Sequence, residues 1–346
     1  MKKSLLMGVC LLTAASLAAQ EVSISVINDS SYVVSGGINE AGTSRTLAVG
    51  SFEYQLNGDY LVHIEGQLQR GENGSDDVGD IQAYSNIDED DFSKLYEIWF
   101  QGEYNELGLR FKVGQVDANS EFGFVNHSGE FINSSMGFSP TILFLPTYPI
   151  PTLSMNVFLD VNEISHIGLG IYSDESNEFD EVFTIAEWQT QFESATLKLG
   201  AWNQTGDIDR LDMTASQDGT NGYYLAVEGG LSLLWLNAAS AGWYSQLGYA
   251  DDSVGEIDLH LGVGLVLYDT FNNQGDRAGI GMTRINTSQY LHDELNKNET
   301  SIEIFYRYQL NQYIALKPDI QYIISPGSDK FASDALVVTL RTEFSF

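Results

Sequence analysis

Cysteine is nearly absent from this sequence. The single cysteine, Cys10, lies in an N-terminal segment in which two lysines precede an apolar stretch (residues 5–17) and then small residues. This layout is typical of a secretory signal peptide, and the apolar stretch is shorter than the ~20 residues of a membrane-spanning helix. We expect residues 1–19 to be a signal peptide, cleaved near Ala18 or Ala19. The mature chain would then lack disulfides, thiolate catalysis and cysteine metal sites.

Positive charge is also scarce. The chain has 16 basic against 48 acidic residues, for a net charge of -32. A surface of this sign repels nucleic acid, so we expect no nucleic-acid partner. Acidic chains are often disordered, but 12% aromatic and 43% hydrophobic residues give this one apolar surface to bury.

Long apolar runs are missing as well. After residue 20 there is no run of ~18 apolar residues, which excludes a helical membrane span. The chain has only 6 prolines, but it has 33 glycines and 18 each of tyrosine and phenylalanine. An exported chain with these properties is typical of an outer-membrane β-barrel and unusual for a soluble enzyme.

What the sequence has instead is alternation with a period of two, the pattern of strands with one apolar and one polar face. The stretch LYEIWFQGEY predicts an apolar face and a polar face with these members: Tyr96, Ile98, Phe100 and Tyr104 against Glu97, Trp99, Gln101 and Glu103. In LGLRFKVG, leucine, phenylalanine and valine alternate with Arg110 and Lys112. Full charges of both signs beside glycines suit a wet lumen better than a dry core.

The alternation continues to the last residue and predicts sixteen strands. They are 22–35, 45–56, 59–70, 94–104, 107–116, 152–160, 164–172, 182–192, 195–203, 221–231, 241–250, 256–268, 278–286, 299–310, 312–324 and 334–346. We therefore expect an all-β fold: a transmembrane antiparallel β-barrel of about 16 strands over residues 20–346, with both ends in the periplasm. Tight turns such as Asn57-Gly58 would alternate with acidic outer loops. These loops are 71–93, 117–151, 173–181, 204–220, 287–298 and 325–333.

The segment 117–151 differs from the other predicted loops. It holds four of the six prolines, and FSPTILFLPTYPIP is too apolar to be disordered. Long loops of this kind are usually functional. We expect it to fold into the barrel and narrow the pore, which would bring Asp117, Glu121 and Glu130 to the channel. The alternative is an outer loop that packs on a neighbouring subunit.

Several stretches resemble the carbohydrate-selective porin (OprB-type) family of Gram-negative outer membranes. They are VGDIQAYSNI (78–87), KLYEIWFQ, LRFKVGQVDANSEFGF, GEFINSSMGFSPT (129–141) and LKPDIQYIISPGS (316–328), followed by the terminal strand. The resemblance implies a sixteen-stranded outer-membrane barrel that admits monosaccharides. It also implies that Arg110 and Lys112 lie in or near the constriction. The terminal Phe346 resembles the C-terminal signal that the barrel assembly machinery recognises.

Sugars are recognised by aromatic faces and by charged groups that hydrogen-bond their hydroxyls. On the predicted lumen face, Trp99 is the stacking candidate. The candidates for hydrogen bonding or pore lining are Glu97, Glu103, Arg110, Lys112, Glu303 and Arg307. The alternative is a solvated wall in which mixed charges only balance one another.

No other motif indicates chemistry. The histidines at 63, 127, 166, 260 and 292 lack metal-ligand spacing, and no catalytic triad can be argued from spacing. We expect no metal, no cofactor and no enzymatic activity.

The predicted function is passive diffusion of small, glucose-like sugars across the outer membrane. The barrel would contact lipid and lipopolysaccharide, and whether it forms a homotrimer is left open. One alternative is a general or cation-preferring porin, which the net charge favours. Another is an outer-membrane enzyme or adhesin on the same scaffold, since fold alone does not settle function.

Overall fold

Sixteen antiparallel strands close into a barrel in the computed structural model, which describes residues 20–231, 240–291 and 298–346. Each strand pairs with its neighbours in sequence, and β1 pairs with β16 to close the sheet. The predicted barrel is therefore confirmed. The predicted signal peptide and His292 lie outside the described residues.

The strands correspond one to one with the predicted ones; nine are longer than predicted, five are shorter and two have the predicted length. They are β1 Gln20–Gly37, β2 Gly42–Asn57, β3 Tyr60–Gly71, β4 Phe92–Tyr104, β5 Leu109–Val116, β6 Thr152–Asn162, β7 Ser165–Tyr172, β8 Phe183–Gln191, β9 Ala195–Asp209, β10 Ser216–Leu231, β11 Ser240–Ala250, β12 Ile257–Tyr268, β13 Arg277–Thr287, β14 Asn298–Asn311, β15 Ile314–Ile324 and β16 Ser333–Ser345. Because β9 and β10 run on to Asp209 and from Ser216, the predicted loop 204–220 is wrong in extent and is reduced to 210–215.

Two short α-helices, α1 Ser75–Val78 and α2 Ser134–Gly137, occur among the described residues. None of the helices within those residues has the length and hydropathy needed to cross a membrane.

Asparagine side chains build the turns at one end of the barrel, which we call the short-turn end. In three hairpins an asparagine Oδ1 accepts the backbone N–H two residues on. Asn57 binds the amide of Asp59 at 2.9 Å, Asn162 that of Ile164 at 3.0 Å and Asn311 that of Tyr313 at 2.8 Å. Asparagine favours such turns because its side chain replaces a backbone acceptor. These turns fix the register of β2–β3, β6–β7 and β14–β15.

The predicted faces hold along most of the barrel, with one exception at Tyr96. We expected this side chain on the apolar face, but it lies inside the barrel with only 3% of its surface exposed. The β3–β4 register steps from Glu65 opposite Glu97 to Gly66 opposite Leu95, so Tyr96 is an extra residue. Such a β-bulge re-aims a side chain, and here it breaks the alternation on which the prediction rested.

Two loops fold into the barrel from the end opposite the short-turn end. The second inner loop (residues 117–151) lies inside, as predicted; its backbone is bonded to the wall at Glu303, for example. The first inner loop (residues 72–91) was expected outside. That expectation is wrong: Ile81 and Gln82 donate their amides to Glu299 on β14, at 2.9 and 3.1 Å.

The seam between the first and last strands carries a buried ion pair. Arg341 on β16 donates two hydrogen bonds to the carboxylate of Asp29 on β1, at 2.7 and 2.8 Å. Ser85 of the first inner loop adds a third bond to Asp29 at 2.6 Å. Asp29 has no exposed surface, so this pair ties the closure of the sheet to the packing of the loop.

We predict that Asp29→Ala lowers the free energy of unfolding by about 3–5 kcal/mol, because Arg341 would remain buried without a counter-charge. Urea unfolding of the detergent-solubilised barrel measures the change. Glu21→Ala, an exposed carboxylate on the same strand, is the matched control and should stay within about 0.5 kcal/mol. Equal effects of the two substitutions on the free energy of unfolding would contradict a stabilising role of the Asp29–Arg341 pair.

Candidate functional site

A cavity of about 560 Å³ lies in the middle of the lumen between two oppositely charged sides. Its lining residues are Ile27, Leu47, Glu65, Gln67, Asn86, Ile87, Tyr96, Glu97, Asp117, Ser120, Gly129, Glu130, Tyr148, Arg277, Arg307, Lys317, Arg341 and Glu343. We call it the central cavity.

The cationic side of the central cavity is formed by four consecutive strands. One cation from each strand points inward, because it occupies a position on the polar, lumen-facing side of its strand. These cations are Arg277 on β13, Arg307 on β14, Lys317 on β15 and Arg341 on β16. Arg307 Nε donates to Glu343 at 2.8 Å. In a chain of net charge -32, this concentration of cations at one wall is a local reversal of the overall charge.

The opposite side is acidic. Glu65 on β3 and Glu97 on β4 face each other across the strand pair. Asp117, at the start of the second inner loop, donates its backbone N–H to Glu97 at 2.8 Å and accepts the hydroxyl of Tyr96 at 2.5 Å. Burial raises the pKa of the Asp117 carboxyl above its ordinary value, although hydrogen bonds from Thr147, Tyr96 and the amide of Asn119 act to lower it. A solute in the cavity therefore meets acceptors on one side and cationic donors on the other.

A second cavity of about 420 Å³ lies nearer the short-turn end, and we call it the lower cavity. Arg110 lies 3.8 Å from the ring centroid of Phe158 and donates to Glu121 at 2.7 Å. Glu121 also pairs with Lys112. Burial alone would raise the pKa of Glu121, but the hydrogen bond from Arg110 and the charge of Lys112 hold it below its ordinary value. This ion triad fixes the second inner loop to β5.

The structure divides the predicted site residues between these places. Glu97, Asp117, Glu130 and Arg307 line the central cavity, and Glu103, Arg110 and Glu121 line the lower cavity. Lys112 is buried behind Glu121, and Glu303 is buried beneath the second inner loop. Glu303 was predicted as a pore-lining residue, and it instead serves as an anchor.

Trp99 does not present an open stacking face in this structure. Its ring stacks on His63 with centroids 4.7 Å apart, and Lys112 Nζ lies 3.9 Å from its centroid, so the two flanking strands cover it. Only 8% of its surface is exposed. The alternation gave the face of the sheet on which Trp99 lies, but it carried no information about cross-strand neighbours. The aromatic residues that reach the cavities are Phe158, Tyr96 and Tyr148.

Wall glutamates hold the inner loops by accepting backbone N–H groups. Glu303 binds Ile132 at 2.7 Å and Asn133 at 3.0 Å. In the same way Glu187 on β8 accepts Gly123 at 2.9 Å, and Glu228 on β10 accepts His127 at 3.1 Å. Ionised acceptors make hydrogen bonds that are about twice as strong as neutral ones. These glutamates therefore set the position of the loop that narrows the lumen.

Sequence reasoning missed Arg277, Lys317, Arg341 and Glu343 as lining residues of the central cavity. The sequence did contain a signal for them, because they occupy polar-face positions in the last strands. In VVTLRTEFSF, for example, Arg341 and Glu343 fall on the polar face, which points into the lumen. What the sequence could not show is that these strands come round to face β3 and β4.

Comparisons with known proteins agree with this architecture. A family model described as "Carbohydrate-selective porin, OprB family" matches residues 196–346. The high-pH structure of Pseudomonas putida OprB superposes with a TM-score of 0.81, at 17% identity, and covers 94% of each chain. The resemblance inferred from the sequence is confirmed by the family match, and the sixteen-stranded fold by the superposition.

Other porin structures are similar at lower scores. The outer membrane channel DcaP of Acinetobacter baumannii has a TM-score of 0.60 at 11% identity and covers 97% of this chain and 99% of that one. Salmonella typhi OmpF has a TM-score of 0.61 at 10% identity, with 95% and 98% covered. The matched family and these neighbours are channels, not enzymes, which agrees with the predicted lack of enzymatic activity.

One curated relative is an uncharacterized protein of Nostoc sp. It is 31% identical over 85 residues, which are 25% of this chain and 15% of that protein's length.

We predict that Glu303→Ala releases part of the second inner loop, because two backbone amides lose their buried acceptor. Single-channel conductance in planar bilayers should rise, and hydrogen exchange at Ile132 and Asn133 should accelerate. Glu299→Ala is the matched control, since it accepts amides of the first inner loop and should accelerate exchange at Ile81 and Gln82 instead. Unchanged exchange at Ile132 in Glu303→Ala would contradict the anchoring role.

A pH dependence is expected from Asp80 in the first inner loop. Burial, and then the neighbouring Glu299, raise the pKa of Asp80 from 3.8 to about 8. The folded protein therefore retains a proton that the unfolded chain releases, and stability declines as pH rises between 3.8 and about 8. We predict that Asp80→Asn flattens this decline, as measured by the free energy of opening at the Ile81 and Gln82 amides. The exposed Asp76→Asn in the same loop should leave the wild-type slope unchanged.

Proposed function

We propose that this chain is an outer-membrane channel for passive diffusion of small sugars, with glucose-like monosaccharides as substrates. The observation that carries the proposal is the central cavity, where cations of β13–β16 face the carboxylates Glu65, Glu97 and Asp117. Its volume of about 560 Å³ falls within the range of small-molecule pockets.

The chemistry of sugars matches a cavity with two charged sides. Each hydroxyl group can donate one hydrogen bond and accept others, so one sugar can engage guanidinium donors and carboxylate acceptors together. A simple ion is attracted by one side and repelled by the other. Pores lined by charged side chains select among solutes through such contacts. The family match at residues 196–346 supports the same substrate class.

The outside of the barrel supports a lipid environment. Large apolar side chains such as Ile98, Val113, Leu169 and Ile304 are exposed on the outer face. A contiguous exposed apolar surface marks an interaction with membrane or protein. Near the short-turn end, Tyr60, Phe100, Tyr104 and Phe111 form a contiguous aromatic group, as in the girdles of outer-membrane barrels. Contact with lipopolysaccharide and recognition by the assembly machinery stay predictions, and the formation of a homotrimer stays open.

A general or cation-preferring porin is the second candidate, and the net charge of -32 favours it. The two candidates differ in a measurable way. A sugar channel should show saturable block of ion current by glucose, whereas a general porin should show block only by exclusion of volume.

We predict that Arg307→Ala, in the central cavity, and Arg110→Ala, in the lower cavity, raise the half-blocking glucose concentration if each binds sugar. A hydrogen bond to a charged group contributes about 1.5–3 kcal/mol, which corresponds to roughly tenfold to hundredfold in affinity. Planar-bilayer recordings with a glucose titration measure this, and the two variants test the two cavities separately.

Lys198→Ala is the matched control. Lys198 is another lumen cation, bonded to the carbonyl of Phe124 at 2.6 Å, and neither cavity is lined by it. All three substitutions remove one positive charge, so all should shift ion preference toward cations. Only the sugar-binding arginines should weaken the block. If both arginine variants block like wild type, the general-porin candidate is favoured.

A further inference from the structure

Three side chains on the acidic side of the central cavity converge on one point. His63 Nε2 lies 3.8 Å from Glu65 Oε2 and 3.9 Å from Glu97 Oε2, and one ligand atom from each residue lies within 4.8 Å of the others. Nothing in the spacing of the histidines along the chain indicated this cluster, because its members come from two strands.

The strand register forces this convergence. His63 and Glu65 are two residues apart on the lumen face of β3, and Glu97 on β4 is the direct cross-strand partner of Glu65. Like charges placed directly opposite each other destabilise a strand pair. His63 Nε2 lies 3.8 and 3.9 Å from the two carboxylates, and it forms ion pairs with them only when the ring is protonated. Two carboxylates thus share one imidazole.

Each of the three residues is held by an atom other than the converging one. Glu53 Oε1 accepts the Nδ1 proton of His63 at 3.0 Å, since a carboxylate can only accept. Gln67 donates to Glu65 Oε1 at 2.9 Å, and the amide of Asp117 donates to Glu97 Oε1 at 2.8 Å. The converging atoms His63 Nε2, Glu65 Oε2 and Glu97 Oε2 are therefore the ones left for a ligand.

The imidazole is also fixed and desolvated. Its side chain is 9% exposed, and Nε2 is buried without a hydrogen-bond partner. Stacking on Trp99, at 4.7 Å and 6° between the planes, sets the orientation of the ring. A buried nitrogen lone pair aimed at two carboxylate oxygens is costly unless something binds it.

We propose that His63 Nε2, Glu65 Oε2 and Glu97 Oε2 bind one divalent transition-metal cation of the Zn²⁺ type. Zinc binds imidazole nitrogen and carboxylate oxygen at about 2.0–2.2 Å. Atoms 3.8 and 3.9 Å apart can surround such an ion after shifts of a few tenths of an ångström. Imidazole favours Zn²⁺ over Ca²⁺ or Mg²⁺, which prefer oxygen ligands.

Glu53 completes the arrangement as a positioning residue. When a carboxylate accepts a hydrogen bond from the ring nitrogen that does not bind the metal, it fixes the tautomer of the histidine and raises the basicity of the other nitrogen. Because Glu65 and Glu97 line the central cavity, an ion reaches the cluster from the pore, and the cavity supplies a remaining coordination position. One bound dication would offset two of the carboxylates that face the cationic strands.

The test uses the full barrel in detergent, stripped of metal with a chelator. Titration calorimetry with Zn²⁺ should give one saturable equivalent, with weaker or no binding of Ca²⁺ and Mg²⁺. Co²⁺ in place of Zn²⁺ should give a visible absorption spectrum that reports a nitrogen-containing ligand set. Absence of a saturable Zn²⁺ equivalent in the wild type would overturn the proposal and leave His63 as a shared partner of two glutamates.

Variants locate the binding. His63→Gln and Glu97→Gln should abolish the equivalent, and Glu53→Gln should weaken affinity about 10–100-fold. His166→Gln, a half-buried histidine on β7, is the matched control and should bind like wild type. Heat-modifiable gel migration checks that each variant folds. If His63→Gln fails to fold, the affinity of the milder variant Glu53→Gln and the Co²⁺ spectrum of the wild type decide whether His63 binds the metal. Full retention of the Zn²⁺ equivalent in folded His63→Gln, or unchanged Zn²⁺ affinity in folded Glu53→Gln, would overturn the proposal.

Discussion

Carboxylates of the barrel wall bind backbone amides of the inner loops, and the shape of the lumen depends on this interaction. A loop inside a barrel brings backbone N–H groups that must be paired, while the backbone of the wall is used in the strand ladders. Side chains must therefore supply the acceptors. Glu187, Glu228 and Glu303 do so for the second inner loop, and Glu299 does so for the first. Together with the Glu121 ion triad and the Ser85–Asp29 hydrogen bond, these acceptors fix the two loops and so define the shape of both cavities.

This use of acids has a consequence for the cations. The chain has few positive charges, yet Arg277, Arg307, Lys317 and Arg341 stand together at the central cavity. Each lies close to a carboxylate or a loop carbonyl that holds it, as Lys317 does with the carbonyl of Glu130 at 2.7 Å. Some carboxylates of the chain thus anchor the loops, and others, Glu65, Glu97 and Asp117, face the cationic strands across the cavity. The cationic donors and the carboxylate acceptors that a hydroxylated solute would contact therefore lie on the two sides of the same cavity.

Much of this fold follows from the sequence. In a membrane barrel, apolar and polar side chains must alternate along each strand, so the strands can be located without knowledge of contacts between distant residues. The apolar, proline-rich composition of residues 117–151 also sufficed to place that loop inside. The failures share a cause. The alternation assumes an unbroken register, so the bulge at Tyr96 defeated it. It also contains no information about partners distant in sequence, such as Asp29 and Arg341, which are 312 residues apart. For the same reason Trp99 was placed on the correct face but its covering by His63 and Lys112 was not foreseen.

The bulge itself links the loop to the proposed metal cluster. Because Tyr96 is an extra residue, two consecutive side chains of β4 point into the lumen. Tyr96 donates its hydroxyl to Asp117, and Glu97 accepts the amide of the same residue. Asp117 begins the second inner loop, so a single insertion fixes where that loop leaves the wall. The hydrogen bond that Asp117 gives to Glu97 Oε1 leaves Oε2 directed at His63. Removing the bulge would therefore disturb the start of the loop and the cluster together, whereas a change at His63 would act on the cluster and on the stacked Trp99.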